Sequence, residues 1–228
     1  MNKRMHAITH YIEPGRGMID VGTDHGYLPV WMATHGYRGN IIAADIHEAP
    51  LQKARETAGK AGVADRMVFQ LCDGLDQCPP EAVDTIVIAG MGGETIAQIL
   101  EDDPWALDGK HLLLLQAMTA QAQLRQYLAA HGGIIQKETL CREGKRMYTV
   151  MTVRGGGDYV EKSLSDCCIS DALLCDPLAA DYLARLLSRE QKICASLEAA
   201  QHQKPDELAL HRGNVRVLSD ALNELEKE

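Results

Sequence analysis

Asp20-Val21-Gly22-Thr23-Asp24-His25-Gly26-Tyr27-Leu28-Pro29 is the stretch on which the fold turns. The run that leads into it, Met18-Ile19-Asp20-Val21, is short and mostly apolar, as a covered strand is, and Gly22 marks its carboxyl end. Glycine at that point lets the backbone turn sharply and approach a ligand, and ligands of open α/β sheets sit in the crevice outside the strand ends. The spacing Gly22-x-x-x-Gly26 is not the GxGxxG of a dinucleotide loop. Asp24 and His25 fill positions that a pyrophosphate needs small.

Working outward, similar apolar runs recur at Ile41-Ile42-Ala43-Ala44, Met67 to Leu71, Thr85 to Ala89 and His111 to Leu115. Helix-compatible segments separate them at Pro50–Gly62, Glu94–Asp102 and Thr119–His131, and Tyr27 opens the first helix. This βαβα alternation predicts an α/β fold with a central parallel sheet covered on both faces. Gly133 to Leu140 and Arg146 to Val153 then flank the short polar turn Arg142-Glu143-Gly144-Lys145, so these two strands must be antiparallel. A Rossmann-like parallel sheet finished by an antiparallel hairpin is the sheet of a class I methyltransferase; dehydrogenase sheets lack that hairpin. Gly155-Gly156-Gly157 punctuates the chain, which predicts a catalytic domain over residues 1–155 and a helical domain over 158–228. In the second, Leu183, Leu186, Ile193, Leu197 and Ala200 recur at helical spacing, as do Leu208, Val215, Leu218, Leu222 and Leu225. Pro205-Asp206-Glu207 supplies a helix start, so a coiled-coil-like helical hairpin is expected, as a stability cap or a substrate-gripping arm.

Acids stand at the ends of three successive strands. Asp20 could accept from the ammonium of a methionine moiety, which an acidic loop suits better than two phosphates. Asp45, with Ile46 after it, follows the second strand at the place where a carboxylate accepts from ribose hydroxyls. Asp73-Gly74 follows the third, where an acid can accept from an adenine amino group. The fourth ends in Ala89-Gly90-Met91-Gly92-Gly93-Glu94, a floor where a flat base or a sulfur could approach bare backbone. The expected cofactor-binding set is therefore Asp20, Gly22, His25, Gly26, Asp45, Ile46, Asp73, Gly74, Ala89 and Gly90.

The 228 residues are 46% apolar and 24% charged, with a formal charge of −9. Residues 1–157 hold 15 Lys and Arg against 18 acids, whereas residues 158–228 hold 8 against 14, so the excess acid is concentrated late in the chain. That balance argues against RNA binding by bulk charge but leaves room for local basic patches. The seven cysteines lack CxxC pairs, so reduced thiols and no metal site are expected. No apolar run approaches the roughly 20 residues of a membrane span, and His6, Thr9, His10 and Glu13 interrupt any leader. A cytoplasmic protein without a membrane partner, and a monomer, are the expectations.

At these residues the chain resembles the bacterial tRNA (adenine-N1)-methyltransferases that modify adenine 22 in the D arm. The likeness rests on Asp20 to Pro29, on Ala44-Asp45-Ile46 with Pro50-Leu51 and Ala54, on Asp73-Gly74-Leu75 and on Ile88 to Gly93. Glu138, Tyr148 and Asp176-Pro177-Leu178 continue it through nearly the whole chain. The chain departs from the pattern at Gln116-Ala117, where Gln-Pro is expected, and at Cys175, where Phe-Gly precedes the proline. The resemblance implies methyl transfer from S-adenosylmethionine to N1 of an adenine in structured tRNA. It points to Asp24, His25, Tyr27, Gly90 and Met91 as positioning residues, with Tyr27 stacking on an extruded base or serving as core. Lys3, Arg4 and Arg16, with Arg142, Lys145 and Arg146 on the hairpin, are the expected RNA contacts. A methyltransferase acting on another RNA or a small metabolite, a nucleotide-dependent oxidoreductase and a non-catalytic RNA scaffold are the rival readings.

Overall fold

Each apolar run becomes a strand whose alternate residues enter opposite faces of one sheet. The computed structural model describes residues 2–200 and 204–227. Five strands are parallel: β1 (Gly17–Val21), β2 (Asn40–Asp45), β3 (Val68–Leu71), β4 (Thr85–Gly92) and β5 (Leu112–Thr119). Two more, β6 (Ile134–Glu143) and β7 (Arg146–Arg154), form the expected antiparallel hairpin, and β7 joins it to β5. The order is β3-β2-β1-β4-β5-β7-β6. Strand order reverses between β1 and β4, and the carboxyl ends of these two strands therefore flank the crevice where such sheets bind ligands.

Five helices cover the sheet: α1 (Lys3–Thr9), α2 (Tyr27–Thr34), α3 (Glu48–Lys60), α4 (Gly93–Asp102) and α5 (Gln121–Ala130). Ile19, Val21, Ile86, Ile88, Leu113 and Leu115 pack with Ile96 and Leu100 of α4 and with Leu124 and Leu128 of α5. Met18, Ile41, Val87, Leu112 and Leu114 face the other way, onto Ile8, Leu28, Met32 and Ala58. Helix α1 is a finding that sequence patterning did not supply. The Asn2 side chain caps it by accepting from the Met5 N–H at 2.9 Å, and Ile8 anchors it in the core. The glycine-rich end of β4 is also longer than expected: pairing with β5 continues to Gly92 through register shifts around Met91.

Beyond β7 the chain folds back against the sheet. Gly155 lies so close to the Leu107 carbonyl that a side chain has no room, and the Gly157 N–H donates to Gly132 O at 2.8 Å. The short helix α6 (Asp171–Leu174) leads into α7 (Ala179–Ala199) and α8 (Pro205–Leu225), a pair about 30 Å long at 1.5 Å per residue. Leu173, Leu183 and Leu218 pack with Leu140 of β6, so the hairpin and the helices share one cluster. A buried ion pair fastens this junction: Arg125 of α5 meets Glu138 of β6 through Nη2 at 2.6 Å and Nε at 3.2 Å. Arg125 Nη1 also donates to the Cys167 and Cys168 carbonyls, and Ser170 donates to Glu138 at 2.6 Å. Burial weakens along the arm, where Ile193, Leu197, Leu208 and Val215 are only half-buried despite their helical spacing. No described helix is long and apolar enough to cross a membrane.

Candidate active site

The loop after β1 closes over the end of β2. The Gly22 and Thr23 N–H groups both donate to Ala44 O at 2.9 Å, which fixes the loop against the neighbouring strand. Gly22, at φ +73°, has the Met91 side chain where its own Cβ would stand, so glycine is required both for conformation and for space. Gly26, at φ +68°, starts α2 and abuts Ala54 of α3 at 2.8 Å from where a Cβ would lie. Between them Asp24 is a non-glycine residue with φ +44°.

The three acids expected at the strand ends surround this loop but differ in setting. Asp20 is buried, and Thr23 Oγ1 donates to its Oδ2 at 2.7 Å. Burial pushes the Asp20 carboxyl up to about 7; nearby Asp45 adds to the rise, while the Thr23 hydrogen bond and the Arg4 cation oppose it. Asp45 is oriented by the His47 N–H, which donates to Oδ1 at 2.9 Å. Ile46 beside it is 54% exposed, an apolar side chain left uncovered at the crevice. Asp73 is exposed, and Gly74 holds φ +53° against Ile99.

Gly90, at φ +85°, exposes bare backbone at the end of β4, and the Arg4 Nη1 lies 3.0 Å from where its Cβ would be. Arg4 therefore does not belong to the outer surface. Its guanidinium donates to Oε1 of the fully buried Gln116, sits 3.8 Å from Met118 Sδ and lies 5.8 Å from the Tyr148 ring centroid. Its N–H donates to Glu143 at 2.9 Å. Tyr27 is 51% exposed, which removes it from the core, and its ring stacks on His25 at 5.3 Å. His25 Nε2 in turn lies 3.8 Å from Asp24 Oδ1. An acid-lined loop, a bare glycine floor and an uncovered aromatic thus meet at the switch point.

A family model described as a methyltransferase domain matches residues 1–151. The chain belongs to the methyltransferase-domain family. A Bacillus subtilis tRNA (adenine(22)-N(1))-methyltransferase is 31% identical over 156 residues, which span 68% of this chain and 66% of that one. A Streptococcus pneumoniae protein solved in complex with S-adenosyl-L-methionine is 26% identical, with a TM-score of 0.82 over 97% of this chain and 99% of that one. The solved B. subtilis m1A22 tRNA methyltransferase is 25% identical, with a TM-score of 0.77 over 100% of this chain and 97% of that one.

In this methyltransferase the six basic residues expected to meet RNA fall into different places. Lys3 is exposed on α1, and Arg4 is turned into the crevice. The β6–β7 turn lies at the same sheet edge as the crevice, because β7 runs antiparallel to β5 and starts at that edge. Arg142 there pairs with Asp181 of α7, which Arg185 also engages at 3.0 Å, while Lys145 and Arg146 are exposed. Arg16 precedes β1, at the opposite edge, and is held by Asp84 at 2.6 Å. It is thereby separated from the other five. Sequence reading had no means of placing Arg4 in the crevice, since that placement depends on α1 lying across the sheet end, where the guanidinium meets Gln116 of β5. A cavity of about 370 Å³ lies between Met118–Gln123 and the α7–α8 pair, lined in part by Glu190, His211 and Asn214.

Proposed function

We propose that the chain transfers the methyl group of S-adenosylmethionine to N1 of an adenine in tRNA, with adenine 22 of the D arm as the target. The observation that carries this is the crevice itself: three acids from three successive strand ends ring a left-handed glycine loop, facing a bare floor at Gly90. The likeness to the B. subtilis adenine-22 enzyme supports the target.

The residues present fit the cofactor. Gly22 and Gly26 give the close backbone approach, Asp20 suits the ammonium group, Asp45 the ribose hydroxyls, and Ile46 and Asp73 the face and amino edge of adenine. His25, Gly74 and Ala89 complete the proposed contacts. When bound, S-adenosylmethionine supplies an electrophilic methyl group carried on a sulfonium. Neutral adenine offers a lone pair at N1, so the chain needs no strong base there and contributes mainly alignment. Tyr27, stacked on His25 at the crevice mouth, receives the extruded base, whose unstacking costs a few kcal/mol. Asp24 and His25 border its edge, and Gly90 and Met91 leave room beneath it. Arg4, held beside Gly90, contacts the phosphate of the same nucleotide; a cation serves better there than against a base that becomes positive on methylation. Lys3, Lys145 and Arg146 lie at the same edge for flanking phosphates.

The test of the target is transfer into unmodified tRNA compared with the same tRNA carrying guanine at position 22. Incorporation into the first alone is expected. Equal incorporation into both would discard adenine 22, and binding of NAD in place of S-adenosylhomocysteine would discard the cofactor.

A further inference from the structure

The acids of this chain are unevenly spread in a way that charge totals conceal. Residues 1–12 and 25–44 contain no Asp or Glu, yet they hold Lys3, Arg4, Arg38, His6, His10, His25 and His35 in a chain of net charge −9. The fold brings these two segments side by side as α1 and α2. Tyr27 and Trp31 of α2 and His35, which caps its end, follow at four-residue spacing and so form one stripe that starts at the crevice mouth and runs about 12 Å along the helix. Trp31 stacks on His35 at 4.0 Å with 13° between the rings, and His6 of α1 meets Trp31 edge-on at 5.5 Å. On the other side of His6, a groove of about 290 Å³ opens between α1 and β6, lined by Lys3, His6, Ala7, His10, Tyr11 and Thr139. Lys137 stands over the Tyr11 ring at 5.3 Å. Among the described residues three acids border this surface, and each has a cationic or N–H neighbour: Glu143 accepts from the Arg4 N–H, Asp24 lies 3.8 Å from His25 at the crevice mouth, and Glu13 lies 3.9 Å from Arg154.

We propose that this acid-free α1–α2 face is the docking surface for the tRNA strand that flanks the methylated adenosine. The proposal rests on the tRNA reading above. Charge favours a polyanion here, since Lys3 and His6 of α1 and His10 just beyond its end are exposed, with no acid on that helix. The aromatic stripe favours nucleotides in particular, because the π faces of Tyr27 and the Trp31–His35 stack suit unstacked bases or ribose. Continuity favours the same RNA as the reaction's substrate, since the stripe begins at Tyr27. This surface differs from the β6–β7 turn, where Arg142 is occupied by Asp181.

Trp31 and Trp105 are the two tryptophans of the chain, and Trp105 lies away from this face beside His111. In the Trp105→Phe protein, titration with unmodified tRNA should therefore quench the emission of Trp31 saturably. The variant Lys3→Glu/His6→Glu/His10→Glu should lose about tenfold or more in tRNA affinity with a shallower salt dependence, while its affinity for S-adenosylhomocysteine stays unchanged. Lys53→Glu/Lys60→Glu on α3 makes the same total change of formal charge and should have a much smaller effect. Unchanged Trp31 emission, or equal losses in both charge variants, overturns the docking surface while leaving the methylation reading intact if transfer persists. Absence of any tRNA binding by the unaltered chain overturns both.

Discussion

Asp20 shows how much a single buried carboxylate can decide. Its carboxyl holds a proton up to about 7, whereas the unfolded chain releases it near the ordinary 3.8. The folded state thus binds more protons between those values, and this group's contribution to stability falls as pH rises through that window. Cofactor affinity should run the opposite way, because the ammonium needs the anion. S-adenosylhomocysteine is expected to bind more tightly as pH rises from about 6 to about 8, and Asp20→Asn should flatten that profile in calorimetry. Thr23→Val removes the hydrogen bond that favours the anion and should move the rise to higher pH; a profile that stays put would show that Asp20 does not meet the ammonium. Tyr27→Ala is expected to leave cofactor affinity unchanged and lower kcat/KM for tRNA. Base stacking of about 1–3 kcal/mol corresponds to roughly one to two orders of magnitude. The acids and glycines were legible in sequence because each stands at or near the carboxyl end of an apolar run. Tyr27 was ambiguous there, since the first residue of a helix can turn inward or outward, and only its exposure decides.

Between elements, the Arg125–Glu138 pair carries the structural consequence. Glu138 was visible in the sequence as part of a family pattern, but its role was not, because its partner lies on α5 and its neighbours come from the segment after the sheet. Glu138→Ala leaves a buried guanidinium facing no acid, a change that costs about 3–5 kcal/mol. Denaturant unfolding should show this loss, and because the pair joins the sheet to residues 158–228, both parts should unfold in one transition. Two separate transitions would instead favour independent domains. Helix α1 escaped sequence reading because seven residues give barely two turns of periodicity; its signals, the Asn2 cap and the buried Ile8, need the sheet beneath them to be recognised. The βαβ alternation and the final hairpin were legible because they rest on long apolar runs and a turn too short for any other connection.

For the whole molecule, the excess acid of the C-terminal third contrasts with segments 1–12 and 25–44, which carry no acid. The α7–α8 arm has a periodicity that specifies the pairing of its two helices. Its centre is polar: His211 and Asn214 bond the buried Glu190 at 2.5 and 3.0 Å. Burial raises the Glu190 carboxyl, but these partners and Arg189 outweigh it and hold the group below its ordinary value. Replacing Arg142, Lys145 and Arg146 together is expected to weaken tRNA binding modestly and to flatten its salt dependence. A filter-binding series over salt concentration would measure this, and unchanged binding would remove the β6–β7 turn from the RNA surface. The most direct measurement is tritiated methyl transfer from S-adenosylmethionine to unmodified bacterial tRNA, followed by nucleoside analysis of the product. A labelled 1-methyladenosine peak, lost in Asp45→Ala, is expected; incorporation into any other nucleoside, or none while S-adenosylhomocysteine still binds, would contradict methylation at adenine N1.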